Sequence, residues 1–421
     1  MTDSAPSVAA DERRAIALIF TAVLIDSIGF GIIIPVLPTY LSTLADVPLQ
    51  EATRIAGWLM VVFAVLQFLC GPLLGNLSDQ FGRRPVLLLS MAGFGLNYLL
   101  MGLAPDLVWL FIGRALAGVA GAIYAPANAY MADISPPEKR AQRFGMLGAA
   151  FGLGFILGPA LGGLIGSIDA RAPFFLAAAL AFANAGIGYF VLRESLPIER
   201  RRAFDWRRAN PLGAFRALAR HPTVIGVAFA IFLWQLAFHV YPSTWSFFAA
   251  LKFGWGEAMI GLSLASSGLL MAIVQGGMTG RIVRAFGERR AAFYGFASFI
   301  SACLLYTIIP YGWMAFLVQP IAAGQGVGGA AMQAIASQRT SAEEQGELQG
   351  GIASLNGLGA IVGPLAMTQT LAWFSEPTRG APFYGAAFLL AAALALAAAA
   401  IFERTTRSDR SMALPRRAPP V

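Results

Sequence analysis

Asp26 is an acidic residue inside a long apolar stretch, in the sequence Leu24-Ile-Asp-Ser-Ile-Gly-Phe-Gly. It lies about eleven residues after the stretch begins, which at 1.5 Å per helical residue places it near the middle of a bilayer. A carboxylate at that depth is costly and commonly marks a route for protons or ions. We therefore interpret Asp26 as a proton carrier. The alternative is a structural carboxylate that is hydrogen-bonded to a neighbouring helix.

Arg114 is a basic residue deep in another apolar stretch, and Gly118 and Gly121 follow it. A guanidinium keeps its proton inside a protein and so needs a partner, and the glycines allow a second backbone to come close. Two interpretations stay open. Arg114 assists proton transfer by biasing Asp26, or it fastens its own helix to the first one.

Neutral polar and aromatic side chains interrupt the apolar stretches at many positions. Amides and aromatic rings with little net charge suit an amphiphilic organic substrate better than a polyanion. Each residue alone is also explained by an ordinary hydrogen bond between helices or by packing. The residues interpreted as lining a substrate cavity are Phe30, Asn97, Tyr124, Asn128, Gln235, His239, Trp245, Gln275, Gln319 and Asn356. Tyr241, Gln325 and Gln333 interrupt the stretches in the same way.

A short polar segment at residues 75–85 lies directly between two long apolar stretches, so we expect a tight hairpin loop. Its glycines permit sharp turning, its aspartate can accept backbone hydrogen bonds at a helix start, and its arginines can hold headgroups or carboxylates. The alternative is a turn that merely follows the tendency of inward loops to be basic. The residues concerned are Gly75, Asp79, Gly82, Arg83 and Arg84.

Another stretch carries glycines four residues apart, which share one face of a helix. Such a face allows close helix packing, and a proline beside it favours a bend. Simple packing is a sufficient explanation, but Gly359 and Gly363-Pro364 repeat the pattern later and suggest matched bends. The residues of the first pattern are Gly154, Gly158, Pro159, Gly162 and Gly163.

Composition decides the class of protein that must position these residues. Of 421 residues, 57% are hydrophobic and only 12% are charged, whereas charged residues make up about 25% of soluble domains. The chain is therefore a polytopic membrane protein. Its two cysteines, Cys70 and Cys303, lie in apolar stretches, so we expect neither a disulfide framework nor a metal site.

Stretches of about 20 apolar residues predict twelve crossings. They lie at 15–41, 54–74, 85–104, 107–131, 143–166, 173–192, 222–249, 257–279, 291–309, 312–334, 349–373 and 382–402. About 25 of the basic residues lie in the tails and in the loops after even-numbered crossings, which predicts cytoplasmic termini. The net charge of +8 thus reflects topology and does not indicate nucleic-acid binding. The opening stretch is too long for a signal peptide, so we expect a retained first helix.

One long connection, at residues 193–221, divides the crossings into six and six. We expect an N-terminal bundle at 1–192, an arginine-rich cytoplasmic linker at 193–221, a C-terminal bundle at 222–402 and a cytoplasmic tail at 403–421. The simplest role for the linker is to rest on anionic lipid.

An internal repeat supports this division. A shift of 205 positions places Gly75 on Gly280, Gly82 on Gly287, and Gly158-Pro159 on Gly363-Pro364. Two homologous bundles that face each other across a cavity are a common transporter plan. Arg284 stands where the first copy has Asp79, so that carboxylate is not required by topology, and its loop is interpreted as an inward-side latch.

These motifs resemble those of the Major Facilitator Superfamily, and within it the twelve-helix drug/proton antiporters of the tetracycline-efflux type. The resemblance covers nearly the whole chain. It rests on the segments 24–38, 75–88, 114–121, 154–163 and 312–316. It implies an all-α membrane fold, a cytoplasmic gate in the 75–84 loop, and roles in proton coupling for Asp26 and Arg114.

The sequence also departs from that type. Tetracycline exporters usually carry further polar or acidic residues at positions where this chain has Asn97, Met271 and Phe299. The general class is retained, but these departures weigh against tetracycline itself as the substrate.

We therefore expect a secondary active exporter in the bacterial inner membrane, which exchanges a small amphiphilic compound for protons by alternating access. The alternative is a proton-coupled importer or facilitator of a metabolite. The sequence contains no ATP-binding motif and no nucleophile elbow, so we expect neither an enzyme nor a cofactor. The expected partners are the substrate, protons and the lipid bilayer, with a monomer as the functional unit.

Overall fold

The computed structural model describes residues 5–121, 124–205, 222–340 and 345–412, and within these ranges it contains helices and no strand. The helices are α1 Ala5–Ile33, α2 Leu37–Ala45, α3 Leu49–Phe81, α4 Arg83–Leu103, α5 Leu107–Ala120, α6 Tyr124–Asp133, α7 Arg140–Gly166, α8 Ala172–Val191, α9 Pro222–Phe238, α10 Val240–Phe253, α11 Glu257–Ile273, α12 Thr279–Phe286, α13 Glu288–Ile308, α14 Trp313–Ala323, α15 Gln325–Gln338, α16 Gln345–Ser375 and α17 Ala386–Met412. A π-helical segment, Val274–Met278, joins α11 to α12. The predicted all-helical class is confirmed.

In the part of the chain that the structure describes, ten helical spans are long and apolar enough to cross a membrane. They are Ile16–Ile33, Leu49–Phe81, Arg83–Leu103, Gln142–Gly166, Ala172–Val191, Ile225–Phe253, Glu257–Phe286, Glu288–Ile308, Leu348–Ser375 and Ala386–Arg407. Each coincides with a predicted crossing. The count of twelve stays a prediction, as does the cytoplasmic location of the termini.

The two other predicted crossings, 107–131 and 312–334, each contain two shorter helices. In the first, α5 ends at Ala120 and α6 begins at Tyr124, and in the second, Gly324 separates α14 from α15. Glycine is a poor helix former, and Pro320 inside α14 supplies no backbone donor. Residues 122 and 123 lie outside the described residues, and the two pairs of shorter helices hold equivalent places in the internal repeat.

The first predicted crossing, 15–41, is interrupted near its end. Helix α1 ends at Ile33 and α2 begins at Leu37, with the amide of Val36 bonded to the carbonyl oxygen of Ile33 at 3.2 Å. Pro35 lies between them and cannot continue the helical hydrogen bonds.

The chain forms two compact units. The first comprises Met1–Pro211, Pro242–Leu269 and Pro364–Tyr384, and the second comprises Leu212–Tyr241, Leu270–Gly363 and Gly385–Val421. The six-and-six division at residues 193–221 stays a prediction.

Each unit has its own core. In the first, α1, α4, α6 and α7 bury a cluster that includes Ile19, Met91, Tyr130 and Ala150. In the second, aromatic rings dominate. Trp234 meets Phe296 edge to face with centroids 5.1 Å apart, which is a favoured arrangement of ring quadrupoles.

Candidate functional site

Glycines of α7 bring its backbone directly against α1 in the first unit. A Cβ atom at Gly154 would lie 2.4 Å from Cβ of Ser27, and one at Gly162 would lie 2.0 Å from the carbonyl oxygen of Ile32. Only a helix without side chains on this face can approach so closely. Because Ser27 follows Asp26, this contact fixes the part of α1 that carries the acid. The α7 positions that contact α1 in this way are Gly154, Gly158 and Gly162.

Helix α7 has a second close face toward α11. A Cβ atom at Gly163 would lie 2.9 Å from Cα of Gly261, and one at Gly261 would lie 2.4 Å from the carbonyl oxygen of Pro159. The glycine pattern predicted one close interface, and the structure contains two. Gly163 therefore does not share the partner of its neighbour Gly162.

The second unit repeats the first of these contacts. A Cβ atom at Gly363 in α16 would lie 2.8 Å from Cδ2 of His239, and one at Gly359 would lie 3.5 Å from Cβ of Gln235. The half-buried His239 thus packs against a glycine. In both copies, the glycine stripe covers the helix that begins the bundle.

Asp26 is half-buried on α1. Phe30, one turn further along, is 38% exposed, and its ring is stacked on that of Phe155 in α7 at 6.4 Å. On the other side, the hydroxyl of Tyr98 in α4 would lie 2.7 Å from a Cβ atom at Gly29. Tyr98 was not singled out from the sequence, since a tyrosine among apolar residues gives no signal of its contacts.

Arg114 belongs to α5, and its side chain contacts α3. Its guanidinium carbon is 4.5 Å from the centroid of the Phe63 ring, within the range of a cation–π contact. A Cβ atom at Gly118 would lie 2.5 Å from the carbonyl oxygen of Phe63. Gln67 donates to the carbonyl oxygen of Gly121 at 3.0 Å. The glycines after Arg114 therefore let α5 touch α3, as their spacing predicts.

The loop between α3 and α4 carries a cluster of charges. Arg83 binds Asp79 at 2.5 Å and Asp133 at 3.4 Å, and it donates to Ser78 Oγ at 3.2 Å. Arg84 donates to the carbonyl oxygen of Tyr189 at 2.6 Å. Among the described residues, Gly75 has no neighbour within 4 Å of its Cβ position.

Glu194 caps the start of α4, and the sequence analysis missed it. Its carboxylate accepts from the amide of Arg83 at 2.7 Å and from that of Arg84 at 3.3 Å. An acid at a helix N-terminus is favourable for both its hydrogen bonds and the helix dipole. Gly82 has φ 106°, and a Cβ there would lie 2.1 Å from the Glu194 carboxylate. A glycine is therefore required at this turn by both conformation and space.

The start of the linker is attached to the same loop. The side chain of Asn76 donates to the carbonyl oxygen of Asp205 at 2.7 Å and accepts from its amide at 3.4 Å. The amide of Arg202 bonds to the carbonyl oxygen of Asp79 at 3.1 Å. Residues 206–221, where a lipid-resting role was also expected, lie outside the described residues.

A second charged contact in the first unit joins α3 to the end of α16. Arg54 binds Glu376 at 3.0 Å and Glu51 at 2.9 Å, and Arg379 binds Glu376 at 2.9 Å. Hydrogen bonds from Arg379 and Arg54 hold the pKa of the Glu376 carboxyl below its ordinary value.

The helices themselves touch beside that ion pair. A Cβ atom at Gly57 in α3 would lie 2.1 Å from Oγ1 of Thr368 in α16. Gln369 donates to the carbonyl oxygen of Arg54 at 3.3 Å. These contacts join residues of the first and the last third of the chain.

The second unit contains a cavity of about 420 Å³ between α9, the π segment and α15. Its walls combine aromatic, aliphatic and amide side chains, and none of the described residues that line it is ionisable. They are Trp234, Gln235, Phe238, Met271, Gln275, Thr279, Gln325, Gly326, Gly329, Ala330 and Gln333. A neutral concave site of this composition suits an organic ligand that has both apolar surface and hydrogen-bonding groups.

Two of the ten residues proposed for the cavity, Gln235 and Gln275, line it. Gln275 lies in the π segment, and such segments are often found at functional sites. Gly326 leaves room for it, because a Cβ there would lie 2.7 Å from the Gln275 amide nitrogen. Trp234, Phe238 and Thr279 also line it, and they were missed because periodicity alone does not identify the helix face.

The other proposed cavity residues lie elsewhere. Trp245 is buried and donates to Ser263 Oγ at 2.9 Å, and Gln319 is 2% exposed. Asn97 is fully buried beside Gly113 of α5. Asn128 is exposed, Asn356 is half-buried, and the side chain of Tyr124 lies outside the described part of the chain.

Comparisons with known proteins give a consistent result. A family model described as the Major Facilitator Superfamily matches residues 19–364 and 243–420. The chain is 39% identical over 385 residues to the tetracycline resistance protein, class C, of Escherichia coli, which covers 91% of this chain and 95% of that protein. It is 30% identical over 283 residues to multidrug resistance protein 2 of Bacillus subtilis, and this match covers 66% of this chain and 69% of that protein.

A solved structure has the same fold. The human organic anion transporter MFSD10 aligns with a TM-score of 0.69 at 24% identity, covering 93% of this chain and 99% of that chain.

Proposed function

The chain belongs to the Major Facilitator Superfamily, and on that premise we propose that it exports small amphiphilic drugs, tetracycline-like compounds included, in exchange for protons. It is a multi-pass membrane protein. We place it in the bacterial inner membrane, with twelve crossings, cytoplasmic termini and a monomer as the functional unit. The proposed mechanism is alternating access.

The observation that carries the proposal is the uncharged cavity of the second unit. Trp234 and Phe238 offer ring faces, and Gln235, Gln275 and Gln325 offer amides. Such walls bind flat organic molecules without demanding a particular charge. The names of the relatives, which concern resistance to tetracycline and to several drugs, support the same class of substrate.

Asp26 is the proposed site of proton exchange. It is half-buried on a helix whose position is fixed by the glycines of α7. A carboxylate at membrane depth is retained when it serves ion or proton movement. Arg114 is placed in the same unit and is proposed to assist, although its described contact is with Phe63.

Alternating access is supported by the contact between α3 and α16. Arg54 and Glu376 lie in different copies of the internal repeat, and their ion pair holds the two helices together at one end. With cytoplasmic termini, this end faces outward. Opening to the outside then requires the pair to separate, while the 75–84 loop forms the proposed gate on the inner side.

The test is drug uptake into inverted membrane vesicles with an acidic interior. The proposal predicts accumulation of tetracycline, abolished by an uncoupler and by Asp26→Asn. The matched control is Asp46→Asn, because Asp46 is exposed and its φ of 52° is tolerated by asparagine.

Three outcomes contradict the proposal in different ways. Full uptake by Asp26→Asn refutes the proton role of that residue. Drug accumulation that is unchanged when the uncoupler is added refutes proton exchange. Movement of substrate only in the opposite direction replaces export by the proton-coupled import of a metabolite.

A further inference from the structure

We propose that residues 194–205, which we call the clip, hold the end of α3 and the start of α4 together, and that the clip has to detach at Asn76 before the end of α3 can move. The proposal rests on the export function above, because the loop between these helices is the proposed inner gate. It adds a control element to that function: the first part of the linker restrains the gate.

The clip satisfies backbone groups at both helix ends that border the loop. The last four carbonyl groups of a helix have no partner within the helix, and that of Asp79 is one of these four in α3. Its oxygen accepts from the amide of Arg202 at 3.1 Å. At the start of α4, Glu194 accepts from the amides of Arg83 and Arg84. The clip therefore caps the end of one helix and the start of the next.

The side chain of Asn76 holds the far end of the clip through backbone groups. It donates to the carbonyl oxygen of Asp205 at 2.7 Å and accepts from the amide of the same residue at 3.4 Å. The clip leaves the short turn Ile198–Arg200 in an extended conformation, which presents these two backbone groups to a neighbouring amide. Asn76 is 8% exposed, so it is largely removed from water and the clip supplies its hydrogen-bond partners.

The two ends of the clip are attached with different strength. At the first end, the buried Tyr130 donates to the carbonyl oxygen of Arg193 at 2.9 Å, and Leu196 is 8% exposed. The bonds of Glu194 there involve a carboxylate, and charge-assisted hydrogen bonds are stronger than neutral ones. At the second end, the bonds of Asn76 join neutral groups, and one of them is long. The clip therefore detaches first at Asn76.

The second copy of the loop, at residues 280–290, differs in this respect. Gly82 in the first copy packs against Glu194 of the clip, whereas no described residue lies within 4 Å of the Cβ position of Gly280 or Gly287. Both copies nevertheless join two helices through a glycine with positive φ. The connection itself therefore forms without a clip, which leaves the clip available for control.

The test compares Asn76→Ala and Asn76→Asp with the parent, by amide hydrogen exchange of the purified full-length protein and by tetracycline uptake into inverted vesicles. Alanine removes both bonds to Asp205. Aspartate keeps the shape but turns a second acceptor toward the carbonyl oxygen, so it separates the loss of the bond from the loss of volume. The exchange control is Gln67→Ala, which removes a bond from the same helix to the carbonyl oxygen of Gly121. The unfolding temperature of every variant is measured alongside.

We expect the amides of Arg202 and Asp205 to exchange about tenfold faster in both Asn76 variants. The amides of residues 83–84 should keep the rate of the parent, because the first end of the clip stays attached. The loop at 280–290 should also be unchanged, and the control should exchange like the parent at the clip. The initial rate of tetracycline uptake should rise about two- to threefold, because a restraint that is broken in every cycle has been removed.

Parent-like exchange of the Arg202 and Asp205 amides in both Asn76 variants overturns the proposal, because Asn76 then does not hold the clip. Faster exchange with slower or unchanged uptake identifies a brace that does not restrain the gate, and it overturns the proposal while the export function stands. An unfolding temperature below that of Gln67→Ala in both variants identifies a structural contact and has the same consequence. A parent protein that takes up no drug refutes the export function, and the control of the gate with it.

Discussion

Replacing Gly162 by alanine tests the backbone contact between α1 and α7 that positions Asp26. The new Cβ atom would lie 2.0 Å from the carbonyl oxygen of Ile32 and 2.7 Å from its carbonyl carbon. Ordinary contact begins near 3.4 Å, so the helices must separate by about 1.4 Å locally. Because the obstructing atoms belong to the backbone, no side-chain rotation relieves the clash. We expect a loss of about 1–3 kcal/mol in the free energy of unfolding, typical of an overpacked core.

The matched control is Gly152→Ala in the same helix, where a Cβ atom meets no described residue within 4 Å. There alanine should stabilise the helix by about 0.5–1 kcal/mol. Denaturant unfolding of both variants in the same detergent measures the difference. If Gly162→Ala is as stable as Gly152→Ala, α1 and α7 are not in backbone contact, and the account of how Asp26 is positioned fails.

Two further substitutions test the charged contacts. Gly82→Ala places a side chain at φ 106° and against the Glu194 carboxylate, so its unfolding temperature should fall more than that of Gly287→Ala, where φ is 77° and the space is free. Glu376→Gln removes the charge bound by Arg54, so amide hydrogen exchange in the first turns of α3 should become faster. Because the pKa of Glu376 is lowered, the parent keeps this protection at neutral pH and loses it as pH falls below the ordinary glutamate value of about 4.3. An exchange rate in Glu376→Gln equal to that of the parent at pH 7 would show that the ion pair does not hold α3.

The sequence predicted well those features that depend on local pattern. Helix positions followed from the length of apolar stretches, and the close packing of α7 followed from glycines four residues apart. Gly118 and Gly121 likewise indicated a close neighbour for α5, and that neighbour is α3. In each case the signal was glycine, which has no side chain and therefore allows a neighbouring backbone to approach closely.

Features that depend on distant partners were not predictable. Glu194 caps α4 from a segment more than a hundred residues away, and nothing near it in sequence marks that role. Trp245 and Gln235 gave the same signal, yet the former bonds to Ser263 in a core and the latter lines the cavity. A polar residue in an apolar helix indicates that a hydrogen-bonding group must be satisfied there, because leaving it unpaired costs free energy. The sequence does not show in which direction the side chain points.

The internal repeat contains a one-residue discrepancy at its second helix. Gly57 packs against Thr368, and Gly261 packs against Gly163. The partners, 163 and 368, are 205 positions apart, but Gly57 and Gly261 are only 204 apart.

Beyond these glycines the offset of 205 returns, since Gly75 corresponds to Gly280. One additional residue therefore fits between Gly261 and Gly280, and the π segment Val274–Met278 lies between them. A π turn takes up a single inserted residue by widening the helix locally. The π segment beside Gln275 therefore lies in the stretch that holds the additional residue of the second copy, and its wider turn accommodates that residue within one continuous helical span, Glu257–Phe286.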